Sequence, residues 1–296
     1  MQGNSNSLLF RHITKYFLPQ IDEGALIYHY TSPLGLKSIL EHRELWASDF
    51  AFLNDKSENR YLYDILKLTI EDKRLSSKID SEFLIELNKI LNHRMDEIPN
   101  NYYRYICSFS SNRDSLSLWN YYTKTATGTG YNIGFKWKNL IENFELTEEQ
   151  EIKCGKVVYD RNEQVRILEM MVIGYNCDFA TASSEEDRIR VLSELKSCLD
   201  ILSAYIKHPA FMNEEEVRVC ITQKITSAMP RKAKYRESNG IMIPFLSINF
   251  LSDAVKSISI SPTSVKEISE YGLSGMLMDL GYSGVSVKAS EIPLRN

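Results

Sequence analysis

A group of charged residues opens an apolar segment near the end of the chain. In the sequence FMNEEEVRVCIT, Glu214, Glu216 and Arg218 alternate with other residues and lead into the apolar part. Alternate residues of a strand project to the same side, so the pattern predicts two carboxylates and a guanidinium on one face. A nearby arginine favours the ionised form of a carboxylate. An exposed edge strand is the structural alternative, but the pattern favours a site that holds a carboxylate against an arginine.

A histidine and a hydroxyl occupy the first apolar segment, LIYHYT at 26–31. Its β-branched and aromatic residues predict a strand, in which His29 and Thr31 share one face while Tyr28 and Tyr30 share the other. A histidine beside a hydroxyl can hydrogen-bond a polar ligand such as a ribose. A buried histidine satisfied by a backbone carbonyl explains the same residues equally well.

Serines and aromatic residues lie together in the middle of the chain. Ser108 and Ser110 are two residues apart on a predicted strand at 102–110, so they point to one face. Trp119 and Tyr122 are three apart on the helix that follows and share a face. Such rings could stack on a flat group such as nicotinamide, although a place in the core is the commoner role.

Two segments are typical of helix starts. Phe52 and Asn54 belong to FLNDKSE at 52–58, whose Asn-Asp pair predicts a turn before a helix. Asp114 is expected to cap a short helix through SLSLWNYY.

The order of the elements indicates an α+β fold. Strands are predicted at both ends of the chain, with helices between them in mixed order. We expect a single domain over residues 1–296, with helical insertions near 57–94 and 162–207 around a central sheet. The predicted strands are 26–31, 45–48, 102–110, 131–137, 155–159, 216–222, 241–248, 256–261 and 284–290, and the longer predicted helices are 57–71, 79–94, 162–175, 185–207 and 264–280.

Composition excludes several classes of protein. The net charge of −4 argues against a broad basic face for duplex DNA, and 43% hydrophobic residues is ordinary for a globular domain. The five cysteines form no CxxC pair and the five histidines are scattered, so we expect neither a disulfide framework nor a metal site. We also expect a cytoplasmic protein, because no segment is typical of a signal peptide or a membrane span.

Eight short motifs, in order, resemble those of a bacterial family of unknown function. They run from about residue 26 to the end of the chain: YHYTS at 28–32, LWAS at 45–48, LNDKSE at 53–58, SFS at 108–110, DSLSLW at 114–119, GTGYNIGF at 128–135, FMNEEEVR at 211–218 and IPLR at 292–295.

The opening strand, helix and second strand (HYT…LKSIL…ELWAS) also resemble the start of ADP-ribosyltransferase folds. The resemblance implies a mixed or antiparallel central sheet and NAD as substrate, without a metal. In that superfamily a first-strand histidine or arginine holds the adenosine ribose, aromatic residues pack on the nicotinamide, and a late glutamate contacts the nicotinamide ribose. By resemblance His29 takes the first role and Glu216 or Glu214 the last. Candidates for the aromatic role are Phe50, Phe52, Trp119 and Tyr122, and the remaining NAD-binding candidates are Thr31, Asn54, Ser108, Ser110 and Arg218.

Three functions follow from these residues. The first is an NAD-consuming transferase or glycohydrolase, acting as a toxin or anti-phage effector on a protein or nucleic-acid acceptor and controlled by a regulatory partner. The second is a non-catalytic module that senses a nucleotide or a phage component on the same fold. The third is a nucleic-acid-processing enzyme that holds Mg²⁺ with Glu214, Glu216 and Asp114.

Overall fold

The computed structural model describes residues 17–53, 58–94, 102–122, 129–225, 231, 233–263 and 265–293, apart from the side chains of 58, 59, 93 and 94. The chain forms two compact units. The first comprises the described residues of Met1–Gln20, Phe50–Tyr103 and Gly155–Phe211. The second comprises those of Ile21–Asp49, Arg104–Cys154 and Met212–Asn296.

The described residues form a mixed sheet of ten strands. The strands are β1 (Leu26–Thr31), β2 (Glu44–Asp49), β3 (Tyr102–Ser110), β4 (Tyr131–Lys136), β5 (Gln150–Lys156), β6 (Glu216–Lys224), β7 (Lys234–Ser238), β8 (Ile241–Asn249), β9 (Val255–Ile260) and β10 (Ser286–Ala289). The order is β10-β9-β4-β1-β3-β2-β8-β7, with β6 paired to both β3 and β5. β10 is parallel to β9, and β1 is antiparallel to β4 along all of its residues.

Nine helices accompany these strands in the described part of the chain. They are α1 (Pro33–His42), α2 (Glu58–Glu71), α3 (Lys73–Ser76), α4 (Ser81–Arg94), α5 (Leu116–Tyr122), α6 (Trp137–Ile141), α7 (Arg161–Ala180), α8 (Glu185–Leu202) and α9 (Lys266–Asp279). The predicted α+β class is therefore confirmed.

Strand β3 is shared by three neighbours. It pairs with β1 at a single position, Tyr28↔Ser110, and with β2 at Ser48↔Ile106 and Asp49↔Tyr105. It also pairs with β6. The sheet therefore branches at β3, into an arm that starts with β1, an arm that starts with β2 and an arm that starts with β6.

Local sequence explains the first turn after β1. The side chain of Ser32 accepts the N–H of Gly35 at 3.1 Å, and Pro33 occupies the first helical position, where it loses no hydrogen bond. The helix ends at His42, and the next residue, Arg43, has a left-handed φ of 52°. This turn places β2 back in the sheet, as the sequence predicts.

The first unit is mainly helical and contains both stretches predicted as insertions. Its helices are α2, α3, α4, α7 and α8. Phe83 contacts Phe179 in its core with ring centroids 5.4 Å apart. The buried Asp200 accepts the hydroxyl of Tyr63 at 2.8 Å, which satisfies one carboxylate oxygen inside an otherwise apolar core.

Several predicted boundaries are wrong. The strand expected at 155–159 lies earlier, at Gln150–Lys156, and Val158 forms only an isolated bridge with Ile206. The helix expected at 185–207 ends at Leu202, where residues 203–205 form a turn that leads to the bridge at Ile206. The strand expected at 131–137 gives way to α6 at Trp137. β7 carries too few apolar residues to be predicted, since its side chains alternate between exposed and half-buried positions.

Among the described helices, none combines the length and the apolar character that a membrane span requires.

Gly134 offers a test of the packing between β1, β4 and β9. A Cβ at this position would meet the Ser257 hydroxyl and would lie 3.0 Å from Cε1 of Tyr28. We expect Gly134→Ala to lower the free energy of unfolding in urea by about 1–3 kcal/mol, the usual effect of overpacking.

The double variant Gly134→Ala/Ser257→Ala is the matched control. It removes the hydroxyl that occupies the new methyl's space, so most of the stability should return. If the double variant is as unstable as the single one, the close contact at Ser257 is not the cause.

Candidate functional site

His29 lies where β1 separates from β3. Its Nδ1 is 3.0 Å from the carbonyl oxygen of Ser108. A carbonyl can only accept a hydrogen bond, so Nδ1 carries the proton and the neutral ring presents Nε2 as an acceptor. β1 and β3 pair only at Tyr28↔Ser110. The imidazole therefore donates to the Ser108 carbonyl, which a backbone N–H of β1 would bond if the two strands paired further.

The surroundings of His29 favour its neutral form. The ring meets Phe109 edge-on at 5.7 Å, and the register on β4 places it opposite Ile133. Burial lowers the pKa of His29 below its usual 6.5, and the bond to Ser108 only partly opposes this. The residue is half-buried, so it is satisfied by a backbone carbonyl and still partly open.

The two faces of β1 separate His29 from Ser110. Tyr28 lies opposite Ser110, so these side chains share a face, whereas His29 projects from the other face of β1. Ser108 meets His29 through its backbone and not through its hydroxyl. Thr31 lies on the His29 face, with Oγ1 in the space that a side chain at Gly35 would need. Ser110, and Ser108 two residues before it on β3, therefore point to the face of β1 that carries Tyr28.

The end of β3 is tied to the chain before β6. The Ser110 hydroxyl donates to the carbonyl of Glu214 at 2.7 Å, and the Ser111 N–H donates to that of Glu215 at 2.9 Å. Ser110 is 2% exposed and also accepts the N–H of Asn112. Its hydroxyl is therefore committed to the fold.

Glu214 is not part of the strand, contrary to the expected alternation. It ends a 3-10 segment, Pro209–Glu214, and Glu215 adopts a left-handed φ of 43° before β6 begins at Glu216. The reversal at Glu215 breaks the two-residue period, so Glu214 does not continue the face of Glu216 and Arg218. Between the two glutamates, only Glu216 has the strand position that the sequence predicts.

Glu216 and Arg218 form a buried ion pair. Nε of Arg218 donates to Oε1 at 2.9 Å and Nη2 donates to Oε2 at 2.8 Å. The residues are only 7% and 2% exposed. A two-point contact between planar groups fixes the orientation of the carboxylate more tightly than a single bond would.

Further positive charge surrounds the same strand. Burial raises the pKa of the Cys220 thiol to about 11, while the positive charges of Arg104, Arg218 and Lys153 act to lower it. The carboxylate of Glu216 therefore lies on a strand with several cations nearby.

His29 and Glu216 are both anchored to the end of β3. His29 contacts Ser108, and the residue before Glu216 contacts Ser111. Backbone groups beside both candidate residues therefore meet the chain at or just after the end of β3.

The Asp114 carboxylate binds a segment near the C-terminus and does not form the cap of helix α5 that the sequence predicted. It accepts the Trp119 Nε1–H at 2.7 Å, the Ser290 hydroxyl at 2.6 Å and the Glu291 N–H at 2.8 Å. These bonds explain the spacing in DSLSLW. Within the described part of the chain, no three His, Cys, Asp or Glu side chains are placed to hold a metal ion, so Asp114, Glu214 and Glu216 do not form the magnesium site considered above.

The aromatic candidates are dispersed. Trp119 is 2% exposed and packs edge-on against Tyr30 at 4.6 Å, so almost no ring surface is left for stacking on a ligand. Tyr122 is 46% exposed at the end of α5. Phe50 is buried and Phe52 is 38% exposed in a 3-10 turn of the first unit. Asn54 lies outside the described residues.

Residues that sequence reasoning missed complete this region. Glu215 accepts Nδ2 of Asn112 at 2.9 Å and the Ser111 hydroxyl at 3.2 Å, and Arg113 donates to Glu291 at 2.7 Å. The sequence signal was weak, because all of these residues are ordinary surface types and only Glu215 lies inside a motif. Ser111, Asn112 and Glu215 close the loop after β3 over the start of β6, and Arg113 joins that loop to the segment after β10.

One family model matches part of the chain. It is described as a protein of unknown function, DUF2971, and covers residues 118–219. That range includes Trp119, Tyr122, Glu214, Glu216 and Arg218. The opening YHYTS and the closing IPLR lie outside it. No curated protein and no solved structure matches the chain. The chain is thus similar over one segment to an uncharacterised family, as its motifs suggest.

The buried ion pair gives a stability prediction. Glu216→Ala leaves the Arg218 guanidinium buried without its fork partner, so we expect a loss of about 3–5 kcal/mol in the free energy of unfolding. Glu216→Leu combined with Arg218→Met removes both charges and should recover most of that loss. Chemical denaturation measures both effects. Equal destabilisation by the single and double changes would contradict the pairing.

His29 gives a pH prediction. Since its folded-state pKa is lowered, the unfolded chain binds more protons below pH 6.5, and stability should fall as the pH drops through that value. His29→Gln removes this dependence, so its stability should fall less steeply than that of the wild type below 6.5. Urea titrations across this range test the difference. His42→Gln, at an exposed position, is the control and should keep the wild-type slope.

Proposed function

We propose that this protein is an ADP-ribosyltransferase-like enzyme that consumes NAD. One observation carries the proposal: Glu216, at the first position of β6, is held by a two-point bond to Arg218 beside the end of β3, the strand that also positions His29. A fixed carboxylate and a hydrogen-bonding histidine in one region of a sheet match the roles that the resemblance implies.

The chemistry asks for a carboxylate that does not move. When the bond between nicotinamide nitrogen and ribose C1′ breaks, nicotinamide leaves with the electron pair and positive charge develops on the ribose. A preoriented negative group stabilises that charge without reorganising during the reaction. The acceptor then bonds to C1′ and loses its proton. With water as acceptor the product is free ADP-ribose.

Arg218 acts as a positioning residue in this proposal. Its guanidinium bonds both oxygens of Glu216 and so fixes the plane of the carboxylate. Lysine at 218 would keep the positive charge and lose the fork, because an ammonium is a point charge. Arg218→Lys is therefore expected to reduce turnover more than it reduces binding of NAD.

His29 supplies a hydrogen-bond acceptor. With Nδ1 committed to the Ser108 carbonyl, the neutral ring offers Nε2 to a hydroxyl group. A ribose hydroxyl is a suitable donor, and the lowered pKa of His29 keeps this acceptor available at neutral pH.

A second candidate is a binding module without turnover. The same ion pair supports it, because Glu216 is 7% exposed and both of its oxygens are bonded to Arg218. A carboxylate held only for structure would leave a site that senses a nucleotide or a phage component. The two candidates differ in turnover, which one assay separates.

The assay measures nicotinamide release from NAD and thermal stabilisation by NAD with the same full-length protein. Turnover that is lost in Glu216→Gln, and kept in Glu214→Gln and in the surface control Glu142→Gln, would support the enzyme and identify the carboxylate. Glutamine preserves shape and removes the charge, and we expect a fall in kcat of at least about a hundredfold by analogy with lost transition-state contacts.

Other outcomes decide against the enzyme. Stabilisation by NAD without nicotinamide release supports the binding module. If NAD neither stabilises the protein nor releases nicotinamide when protein and nucleic-acid acceptors are present, NAD is excluded as the ligand of both candidate functions. A toxin or anti-phage role would follow only if expression of the wild type, but not of Glu216→Gln, depletes cellular NAD.

A further inference from the structure

An exposed tryptophan is held in place on the part of the sheet formed by β2, β8 and β7. Trp46 is 44% exposed, although its ring meets that of Phe245 with centroids 4.4 Å apart. Its Nε1 donates to Oε1 of Glu44 at 2.7 Å, and the hydroxyl of Ser247 donates to the same oxygen at 2.7 Å. The indole is thus fixed through both its ring and its nitrogen while much of its surface stays open, which suits stacking on a flat group.

Arg236 lies on the same face of the sheet as this indole. Residues paired across a ladder share a face, and both Ser48 and Lys234 pair with Phe245. Trp46 is two residues before Ser48, and Arg236 is two residues after Lys234, so all five side chains project to one side. From β7 the Arg236 side chain reaches across to β2, where Nη2 donates to the hydroxyl of Ser48 at 3.2 Å. Its guanidinium therefore lies beside the residue two positions from the exposed indole.

The charge of Arg236 has no counterion among the described residues. Its partner is the neutral hydroxyl of Ser48, and its buried Nε bonds nothing in the described part of the chain. The side chain is half-buried, and burial lowers the pKa of Arg236. Taking a guanidinium out of water is costly unless an anion is bonded to it.

A second arginine shows that the chain supplies an anion nearby, but on the other face. Arg231 donates to the carboxylate of Asp49, and its Nε donates to the hydroxyl of Tyr105 at 2.9 Å. Asp49 follows Ser48 on β2 and so projects from the opposite face of the strand, away from Arg236. Within the described residues, one arginine at this end of β2 is bonded to a carboxylate and the other is not.

We propose that Trp46 and Arg236 form a binding site for a nucleoside monophosphate, with the base stacked on Trp46 and the phosphate bonded to Arg236. The Cα atoms of Trp46 and Ser48 are about 7 Å apart at the rise of a strand, so the ligand needs a spacer between its ring and its anion. A nucleotide has this construction, because its sugar separates the base from the phosphate. An aromatic ring for the base and an arginine for the phosphate are contacts that hold a nucleotide whatever its base.

The negative charge of Glu44 does not oppose this ligand. Along β2, Glu44 lies on the other side of Trp46 from Ser48, and the ammonium of Lys234 is 3.4 Å from its Oε2. Its Oε1 accepts the indole N–H. Glu44 is therefore committed to holding the indole, and the place for the phosphate keeps the positive charge of Arg236.

The site shares no residue with the region proposed to act on NAD. Trp46 and Ser48 belong to the LWAS motif at 45–48, which has no part in that proposal. Binding of a nucleoside monophosphate here is therefore independent of any turnover of NAD.

Calorimetric titration of the full chain with guanosine monophosphate (GMP) tests the proposal, with guanosine and inorganic phosphate as partial probes. GMP should bind at a single site, and each partial probe should bind at least about tenfold more weakly, because it makes one of the two contacts. Trp46→Ala and Arg236→Gln should each lower the affinity for GMP about tenfold or more. GMP carries no nicotinamide, so failure of this proposal and failure of the NAD proposal are separate results.

Fluorescence and thermal melting separate loss of the site from misfolding. Trp119 and Trp137 are 2% and 8% exposed, so bound GMP should quench mainly the emission of Trp46. Trp46→Phe keeps a ring for stacking and should retain the affinity for GMP within about threefold while losing that quench. Arg236→Gln should melt no lower than the wild type, because it removes a charge that no described residue pairs.

Two surface changes are the matched controls. Tyr235→Ala removes an aromatic residue, 59% exposed, from the opposite face of β7, and Arg74→Gln removes an arginine whose side chain is 89% exposed. Both variants should bind GMP as the wild type does. Absence of GMP binding at millimolar concentration, equal losses in the controls, or a partial probe that binds as tightly as GMP would each overturn the proposal. A single-stranded oligonucleotide that binds where GMP does not would also overturn it.

Discussion

The second unit depends on the sharing of β3 among three neighbours. A strand has two hydrogen-bonding edges, so among three partners at least two must share one edge and pair over short stretches. β1 is paired at one position and β2 at two. What the ladder does not supply comes from side chains. The His29 ring takes the carbonyl of Ser108, and the Ser110 hydroxyl reaches the carbonyl of Glu214.

This branching explains why the functional candidates occur there. Where strands diverge, backbone groups lose their regular partners and polar side chains are needed to satisfy them. His29, Ser110 and Glu215 all serve that need. Glu216 differs in having a partner, Arg218, on its own strand. A buried ion pair is seldom a large net gain in stability, and under the proposed function this pair orients the carboxylate.

The sequence predicted the individual helices and strands better than the contacts between them. Period and capping residues placed β1, α1, β2, β3 and β6 within a residue or two, because these signals are local. The prediction that Glu214 and Glu216 lie on one face of a strand is wrong because Glu215, between them, has a left-handed φ. No sequence pattern predicts that φ. The hydrogen bond between His29 and the carbonyl of Ser108 depends on how two strands that are far apart in sequence diverge. Neither segment alone predicts that geometry.

Motif spacing was informative in an unexpected way. DSLSLW suggested a capped helix with an aromatic face, yet Asp114 bonds the indole of Trp119 and two residues beyond β10. Asp114 lies in DSLSLW, and its partners Ser290 and Glu291 lie just before IPLR, so the position of this aspartate serves a structural contact. Trp119 also packs on Tyr30. The aromatic role proposed for it from sequence therefore has no support in its burial.

The position of β4 between β1 and β9 has a consequence for synthesis. One edge of β4 pairs with β1, which precedes it in the chain, but its other edge pairs with residues 255–260, which are synthesised more than a hundred residues later. Until then that edge is an open template for another chain. Because contacts between residues far apart in sequence slow folding, we expect the pairing of β4 with β9 to form late.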